Sequence, residues 1–471
     1  MAIQSINPAT EEVLKSFEAY SPQEVERIVA QVFDAFTRWR KTSFAQRAAL
    51  VRRAGAILRE RKAQYGRLIT LEMGKPIGEA EAEVEKCAWN CEFYADHAER
   101  LLAEEPVGTN ATESYVEFEP IGPVLAVMPW NFPFWQVFRF AAPALMAGNT
   151  ALLKHASNVP QCALAIEEVF RDAGLPQGCF RTLLIPGSAV EAVIADKRVR
   201  AVTLTGSDET GTKVAAAAGH HLKKTVLELG GSDPFIVLAD ADLDGAAATA
   251  ARARFQNTGQ SCIAAKRFIV EEAVAAPFLE RFKAEVERLA VGDPLDRGSQ
   301  VGPMARDDLR DDLDRQVRDS IAQGAGVVTG GKRRAGRGYF YEPTILSGVT
   351  ARMPAFREET FGPVAAVIVA GNADEAIALA NDSEFGLGAA LWTRDLARAR
   401  QLARRIESGS VFINGMVASD PRLPFGGVKR SGYGRELSSF GIREFVNIQS
   451  VWIGPATQAA APQQQAKAAV E

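Results

Sequence analysis

The spacing of apolar residues changes along the chain, and the first part has helical spacing. Residues 21–103 are rich in Ala, Glu, Arg and Leu, with apolar positions recurring at helical period, which predicts two or three amphipathic helices. Ser21, Pro22 and Glu24 stand where an N-cap, a first-turn proline and an N3 glutamate would begin the first of them.

Short apolar segments and helical patterns alternate in the next part of the chain. The predicted strands are 123–128, 150–153, 180–185, 199–204 and 225–229. The predicted helices between them are 134–147, 159–173, 188–196 and 210–222. A regular strand–helix–strand alternation predicts a parallel sheet with helices on both faces. Ligands of such sheets bind at the carboxyl ends of the strands.

The alternation restarts after Gly231 and predicts a second α/β domain. Its predicted strands are 234–238, 267–270, 364–369, 388–392 and 410–413, with helices at 239–255 and 273–290. The bend at residues 230–234 contains two glycines and a proline and is the predicted boundary. Two further segments, 112–121 and 445–452, alternate polar and apolar residues and predict half-exposed strands. The tail from Pro455 contains little that can be buried, which predicts disorder.

Composition narrows the class of protein. A length of 471 residues indicates two or three domains, and 47% apolar with 24% charged residues is typical of a soluble globular protein. The net charge of −4 gives no reason to expect nucleic acid or an anionic membrane as a partner. No apolar run is long enough to cross a bilayer, and the first residues lack a secretory signal.

The cysteines and histidines bear on location and metal binding. Five scattered cysteines in a chain of this length indicate free thiols in a reducing compartment, so we expect a cytoplasmic protein. Cys87 and Cys91 can share one helix face, where packing is a better interpretation than metal binding. Four histidines leave little material for a metal site, and none is predicted.

Cys262 is the first candidate for chemistry. Most free cysteines are buried and inert, but Cys262 ends a polar, glycine-containing loop, Asn257 to Ser261, where a core thiol would be out of place. A helix beginning at Ile263 would lower the pKa of the thiol and present N–H groups to an oxyanion.

Glu228 is the second candidate. It ends an apolar strand and is followed by Gly230 and Gly231 after one leucine. It is either a solvated carboxylate at a sheet edge or a carboxylate whose pKa is raised by apolar surroundings, which would suit a general base. We favour the second interpretation, because the two glycines leave the site open.

Two loops that follow predicted strands contain further candidate functional residues. Asn131 lies between Pro129 and Pro133, so it belongs either to a rigid turn or to an oxyanion hole with its amide as donor. Residues 204–211 carry Gly206 and Ser207 between a strand and a helix. Their glycine pattern alone is weak evidence of phosphate binding, although their position at a helix N-terminus favours it.

Together these motifs resemble the aldehyde dehydrogenase superfamily over residues 3–453. The resemblance implies that Cys262 is the nucleophile and Glu228 the base that activates water. It also implies an oxyanion hole formed by Asn131 and the Cys262 N–H. The implied organisation is a Rossmann-like parallel-sheet cofactor domain (1–111 and 122–230), a catalytic α/β domain (231–430) and a β oligomerisation arm (112–121 and 431–454). The implied assembly is a homodimer or homotetramer.

The resemblance also implies a nicotinamide cofactor. At one position the chain departs from the family pattern, and this position bears on the choice between NAD and NADP. The implied cofactor-binding residues are Trp130, Lys154, Gly206, Ser207, Glu359 and Phe361. The family often carries a glutamate where this chain has Ser157, and a glutamate there would bond the ribose 2′-hydroxyl and repel a 2′-phosphate. Ser157 removes that repulsion, so we expect NADP to be accepted or preferred, with NAD as the other cofactor.

The substrate is predicted from a narrower resemblance. Residues 134–140, Lys154 to Ser157 and residues 418–424 resemble the bacterial succinate-semialdehyde dehydrogenase subgroup. Arg139 lies among aromatic residues and would suit the far carboxylate of such a substrate, although an ordinary ion pair is nearly as good an interpretation. Trp135 and Ser419 are the other predicted substrate contacts.

Three alternatives to this activity stay open. The first is a dehydrogenase for another small aliphatic aldehyde, with Arg139 structural. The second is a non-catalytic scaffold, which would not need Cys262, Glu228 and Asn131. The third is a cysteine hydrolase, for which no histidine stands in an activating motif.

Overall fold

The computed structural model describes residues 2–455. Its helices are α1 (Pro22–Trp39), α2 (Phe44–Glu60), α3 (Lys62–Met73), α4 (Ile77–Leu101), α5 (Trp135–Met146), α6 (Pro160–Asp172), α7 (Val190–Ala195), α8 (Asp208–His220), α9 (Leu243–Phe255), α10 (Glu272–Glu287), α11 (Asp307–Ala322), α12 (Pro354–Arg357), α13 (Ala373–Asn381), α14 (Leu396–Ala403) and α15 (Ser438–Ile442). Apart from Pro455, the tail predicted to be disordered lies outside the described residues.

The strands, numbered in chain order, form separate sheets. They are β1 (Ala2–Asn7), β2 (Glu12–Glu18), β3 (Glu105–Pro106), β4 (Glu113–Pro120), β5 (Pro123–Met128), β6 (Thr150–His155), β7 (Phe180–Thr182), β8 (Ala201–Thr205), β9 (Lys224–Glu228), β10 (Asp233–Val237), β11 (Ala265–Glu271), β12 (Gly326–Thr329), β13 (Thr344–Ser347), β14 (Val364–Ala370), β15 (Phe385–Gly386), β16 (Gly388–Trp392), β17 (Ser410–Ile413), β18 (Val428–Lys429), β19 (Gly432–Tyr433) and β20 (Val446–Ile453).

The first large sheet has the strand order β19-β9-β8-β5-β6-β7. The five strands β5 to β9 are parallel, with helices between successive strands, as the alternation of patterns predicts. Val127 is level with Lys154 on one side and with Leu204 on the other, so the strands end at one edge. The loops that follow them therefore meet there.

The second large sheet has the order β12-β13-β14-β11-β10-β16-β17 and is parallel except for β12. Its central strands β10, β11 and β14 are almost wholly buried, which explains the apolar run within each of them. Asp233 at the start of β10 is paired with Ala265 at the start of β11. The amino ends of these strands follow directly after the Gly230–Gly231 turn and after Cys262.

The N-terminal helices form a layer against the first sheet. Ser21 Oγ accepts the backbone N–H of Glu24 at 3.2 Å, so the predicted N-cap of α1 is confirmed. Helix α4 is 25 residues long and places Cys87 and Cys91 in the core with α2 and α5. This is the packing role expected of those two thiols.

A three-stranded antiparallel sheet with the order β20-β4-β3 contains the two segments predicted as half-exposed strands. Strands β4 and β20 pair over their full eight residues. Strand β19 instead pairs with β9, so the beginning of segment 431–454 belongs to the first large sheet. The hairpin of β1 and β2 at the N-terminus was not predicted from the sequence.

No helix within residues 2–455 is long and apolar enough to cross a membrane. In the same range, no group of three or more His, Cys, Asp or Glu side chains is arranged to hold a metal ion.

Candidate active site

The carboxyl edge of the first sheet carries most of the predicted site residues. Asn131 follows β5, Ser157 follows β6, Ser207 follows β8 and Glu228 ends β9. Lys154 lies within β6, one residue before its end. The parallel sheet therefore brings together residues that are far apart in the chain.

Cys262 faces this edge from the second sheet, and its local structure differs from the prediction. Residues 261–264 form a turn, and β11 begins at Ala265, so no helix begins at Ile263. The expected help of a helix N-terminus for the thiol is therefore absent at this position. The segment takes the extended form because β11 is a central strand between β10 and β14.

The loop before Cys262 is strained and is held by buried contacts. Asn257 and Thr258 have φ values of 54° and 56°, a left-handed conformation that costs energy for residues with a side chain. The N–H of Asn257 donates to Glu79 Oε2 at 2.6 Å, and its side-chain amide donates to the Asn131 carbonyl at 2.8 Å. These bonds connect α4 and the Asn131 loop to the loop of the thiol.

Asn131 is buried beside this loop. Its Nδ2 donates to the carbonyl oxygen of Gln260 at 3.1 Å, and only 4% of the residue is exposed. One amide hydrogen is thus used for position, which leaves the other for a ligand. His155 supports the same loop, because its Nε2 donates to the Pro133 carbonyl at 2.9 Å, and burial lowers the pKa of His155 to about 4.

The thiol of Cys262 is partly exposed and lies above a buried lysine. Lys266 Nζ donates to the carbonyl oxygens of Cys262 at 2.8 Å and of Ser261 at 3.0 Å, and it lies 3.2 Å from Glu359 Oε1. Burial raises the pKa of the thiol to about 12, while the charges of Arg139 and Lys266 act to lower it. A base must therefore remove the thiol proton before attack.

Glu228 is a buried carboxylate without a hydrogen-bond partner in the described part of the chain. Only 2% of the residue is exposed, and both carboxylate oxygens lack a donor within residues 2–455. Burial, followed by the negative charge of Glu436, raises the pKa of Glu228 well above its usual range, and Arg139 partly opposes the shift. A raised pKa is what a carboxylate needs to act as a base near neutral pH.

The structure gives a different reason for glycine at positions 230 and 231 from the one that the sequence suggested. A Cβ on Gly231 would lie 2.6 Å from the carbonyl oxygen of Cys262, and a Cβ on Gly230 would lie 2.5 Å from Glu359 Oε2. The N–H of Gly231 also donates to Glu359 Oε1 at 3.0 Å. The glycines are needed for the close approach of three segments rather than to leave the site open.

Arg139 is buried and has a carboxylate partner within the protein. This side chain is 2% exposed, forms a buried ion pair with Glu436, and lies over the ring of Phe425 at 4.5 Å. Its guanidinium is already engaged by a carboxylate of the protein, which favours the ion-pair alternative over a contact with the substrate. Glu436 itself gave no signal in the sequence.

Two of the predicted cofactor residues, Trp130 and Phe361, are in contact. The Trp130 and Phe361 rings meet edge to face at 5.7 Å, and Glu359 reaches both Lys266 and the Gly231 N–H. Lys154 is 9% exposed and has no ion-pair partner within residues 2–455. Burial lowers its pKa.

The chain can hold a dinucleotide phosphate at this edge. Ser157 is exposed after β6, three residues beyond Lys154, whose ammonium has no ion-pair partner within residues 2–455. Ser207 caps α8 by accepting the Thr210 N–H at 3.3 Å, and the N–H of Gly206 donates to the Glu228 carbonyl at 3.0 Å. Asp208 in the first turn would repel an anion, but Arg430 Nε donates to it at 3.0 Å.

The predicted substrate contacts Trp135 and Ser419 meet at a residue that the sequence analysis missed. Lys86 Nζ donates to Ser419 Oγ at 2.7 Å and lies 4.3 Å from the Trp135 ring centre. Lysines on an amphipathic helix are usually solvated, so no sequence signal separated Lys86 from its neighbours.

Comparisons with known proteins agree with this geometry. Residues 1–451 match the aldehyde dehydrogenase family. A Synechocystis sp. protein named probable succinate-semialdehyde dehydrogenase (NADP+) is 54% identical over 453 residues, which is 96% of this chain and 100% of that protein. Succinate-semialdehyde dehydrogenase (NADP+) 1 of Mycobacterium tuberculosis is 52% identical over 456 residues, again 96% and 100%. The crystal structure of succinic semialdehyde dehydrogenase from Streptococcus pyogenes in complex with NADP+ has a TM-score of 0.94 at 39% identity and covers 96% of this chain and 100% of that one.

Proposed function

The chain belongs to the aldehyde dehydrogenase family, and on that premise we propose that it oxidises succinate semialdehyde to succinate, with NADP preferred and NAD accepted as hydride acceptor. The observation that supports the proposal is that Asn131 and Glu228 lie at the carboxyl edge of the first sheet, and that Asn131 bonds to Gln260, two residues before Cys262. The substrate and cofactor are supported by relatives named for them that match 96% of the chain.

The first half of the reaction uses Cys262 and Asn131. The Cys262 thiol gives its proton to a base, the sulfur attacks the aldehyde carbon, and the former carbonyl oxygen becomes an alkoxide. The free amide hydrogen of Asn131 and the backbone N–H of Cys262 donate to this oxygen, an arrangement worth roughly a hundred- to a thousandfold in rate per donor. When bound, the nicotinamide ring supplies the acceptor for the hydride that leaves the carbon. A thioester then remains on Cys262.

The second half uses Glu228. The carboxylate accepts a proton from water while the water oxygen bonds to the thioester carbon. The carbon–sulfur bond breaks, the acid is released, and the proton returns to the thiol. The burial of Glu228 raises its pKa, which makes its carboxylate a stronger base for this step.

One observation favours the runner-up, a dehydrogenase for another small aliphatic aldehyde. Arg139, the predicted receptor of the far carboxylate, is paired with Glu436. If no other cation receives that carboxylate, the site has no means of selecting a semialdehyde over an uncharged aldehyde of equal length.

The test is an aldehyde panel assayed for reduced nicotinamide with each cofactor. We expect succinate semialdehyde with NADP to give the highest kcat/KM, well above butanal, which has the same carbon count and no carboxylate. Equal rates on the two aldehydes would support the runner-up. No oxidation of any aldehyde would support a non-catalytic scaffold.

The nucleophile is tested by Cys262→Ala, which should abolish oxidation and leave NADP affinity unchanged. The other thiols are all buried in the described structure, so a thiol reagent should inactivate the wild type by modifying Cys262. Inactivation traced by mass spectrometry to Cys87 or Cys179 would contradict this assignment.

We also propose a homodimer or homotetramer in the cytoplasm. Strand β20 is an edge strand, and its exposed face carries Ile448 and Trp452, which are 61% and 57% exposed. An apolar edge strand of this kind invites pairing with a second copy. We propose the same division into a cofactor domain, a catalytic domain and this arm, which the separate sheets support except that β19 pairs with β9 in the first large sheet.

A further inference from the structure

Lys86 lies in the middle of α4 and reaches two residues from other parts of the chain. Its Nζ donates to Ser419 Oγ at 2.7 Å, across a separation of 333 residues. The same nitrogen lies 4.3 Å from the centre of the Trp135 ring, within cation–π range. Both residues were expected to contact the substrate on independent grounds.

The ammonium of Lys86 has no carboxylate within ion-pair distance among residues 2–455. Two carboxylates, Glu83 and Asp420, act to raise the pKa of Lys86, but each is bonded to other residues. Glu83 pairs with Lys75 and accepts the N–H groups that begin α5, and Asp420 lies 2.6 Å from Arg422 Nη2. A mostly buried cation without a counter-ion is costly, and an anionic ligand would remove that cost.

The electrostatic field connects Lys86 with the reacting thiol. Burial lowers the pKa of Lys86 to about 8, and the positive charge of Arg139 contributes in the same direction. Arg139 also lowers the pKa of the Cys262 thiol. Both groups therefore feel the charge of the same guanidinium, and Trp135 lies one turn of α5 before it.

We propose that Lys86 is the residue that binds the far carboxylate of the semialdehyde, with the Ser419 hydroxyl as its partner. This inference rests on the proposed function and deepens it. Lys86 donates to the Ser419 oxygen, which leaves the Ser419 hydrogen and two ammonium hydrogens for the two carboxylate oxygens. Arg139 keeps its pairing with Glu436 and has a structural role.

The first experiment compares Lys86→Met with the wild type on succinate semialdehyde and butanal. Methionine keeps the length and apolar stem of lysine and removes the charge. We expect the KM for succinate semialdehyde to rise about ten- to a hundredfold, as expected for losing one charge-assisted contact, with kcat and the butanal kinetics little changed. Lys283→Met is the matched control, because Lys283 lies on the surface of α10, 45% exposed.

The outcomes separate this inference from the proposed function. A wild type that does not prefer succinate semialdehyde over butanal contradicts the substrate itself. A wild type with that preference, combined with a Lys86→Met variant that keeps it, contradicts only the role of Lys86. Butanal oxidation by the variant shows that it has folded.

A second measurement needs no variant. The ratio of kcat/KM for succinate semialdehyde to kcat/KM for butanal cancels the titrations of Cys262 and Glu228, which both substrates share. Lys86 is charged below its pKa and neutral above it, so the ratio should fall as the pH rises through about 8. The charged and titratable groups around it are Glu83 and Cys87 on α4, Arg139 on α5, and Asp420 after β17. A ratio that stays constant from pH 7 to about 9.5 would overturn the proposal.

Discussion

At the residue scale, burial has opposite consequences for the two catalytic acids. Burial raises the pKa of Glu228 well above its usual range and that of the Cys262 thiol to about 12. For the carboxyl group the raised pKa makes its carboxylate a stronger base. For the thiol it means that the nucleophile is protonated in the resting enzyme. Chemistry therefore begins with a proton transfer.

Replacing Glu228 by Gln should separate the two halves of the reaction. If the carboxylate is needed only for water attack, Glu228→Gln forms one equivalent of reduced cofactor in a burst and then stalls at the thioester. Stopped-flow absorbance measures the burst, and mass spectrometry of the quenched protein shows the acyl group on Cys262. A missing burst would mean that Glu228 also takes the thiol proton.

Ser157 is the residue that bears on cofactor choice. It is exposed after β6, three residues beyond Lys154, which lies one residue before the end of that strand. A glutamate at this position adds repulsion of a 2′-phosphate, and each ~1.4 kcal/mol changes relative affinity tenfold. Ser157→Glu should shift the ratio of kcat/KM from NADP toward NAD by at least about tenfold. Ser16→Glu on the exposed hairpin strand β2 controls for the added charge, and an unchanged ratio in Ser157→Glu would show that position 157 does not face the ribose.

At the element scale, two buried contacts with charged side chains fix the position of α5, one at its first residue and one at Arg139. Glu83 on α4 accepts the N–H groups of Phe134 and Trp135 at 2.9 and 3.0 Å, which satisfies the start of the helix. Arg139 connects α5 to Glu436 before α15. The loop of Asn131 is thereby held between two fixed elements.

Removing Arg139 should therefore damage the site as a whole. Arg139→Ala leaves Glu436 buried without a partner beside Glu228, at a cost of about 3–5 kcal/mol in the free energy of unfolding. We expect kcat/KM to fall by a similar factor for succinate semialdehyde and butanal, with a lower denaturation midpoint.

The double variant Arg139→Met with Glu436→Gln is the control, since it removes both charges and should recover part of the lost stability. A loss confined to succinate semialdehyde in Arg139→Ala would show that the guanidinium does bind the substrate carboxylate.

At the scale of the whole molecule, the three-stranded sheet β20-β4-β3 contains none of the proposed site residues. Its strand β20 pairs with β4 on one side and has an open edge on the other. Exposed apolar side chains lie along it, in contrast to the buried strands of the two large sheets. This is the surface from which we infer self-association.

A charge on that edge should dissociate the assembly. In Ile448→Asp an unpaired carboxylate would be buried between copies, which costs several kcal/mol, so the dissociation constant should rise by about a hundredfold or more. Analytical ultracentrifugation of the wild type and the variant measures this. Leu396→Asp on α14, at a position that is 52% exposed, is the matched control. An Ile448→Asp protein with the same mass as the wild type would place the interface elsewhere.

The sequence by itself determined the elements whose residues repeat a local pattern. Strands β5, β16 and β17 have the bounds that their apolar runs predict, and α5 differs from its prediction by one residue at each end. Cys262, Glu228 and Asn131 were found for the same reason, because each stands out from its own neighbours in the chain. Their catalytic roles stay proposals until the variants are measured.

Only the tertiary structure decided which charges are buried and what they touch. Ile263 begins an apolar stretch that could form a helix. The segment that follows it is strand β11 instead, because β11 pairs with β10 on one side and with β14 on the other. Glu436, Lys266 and Lys86 look like ordinary polar positions in their own segments, and their importance comes from partners such as Arg139, Glu359 and Ser419. Burial and electrostatic coupling depend on segments that are distant in sequence, so no local pattern can encode them.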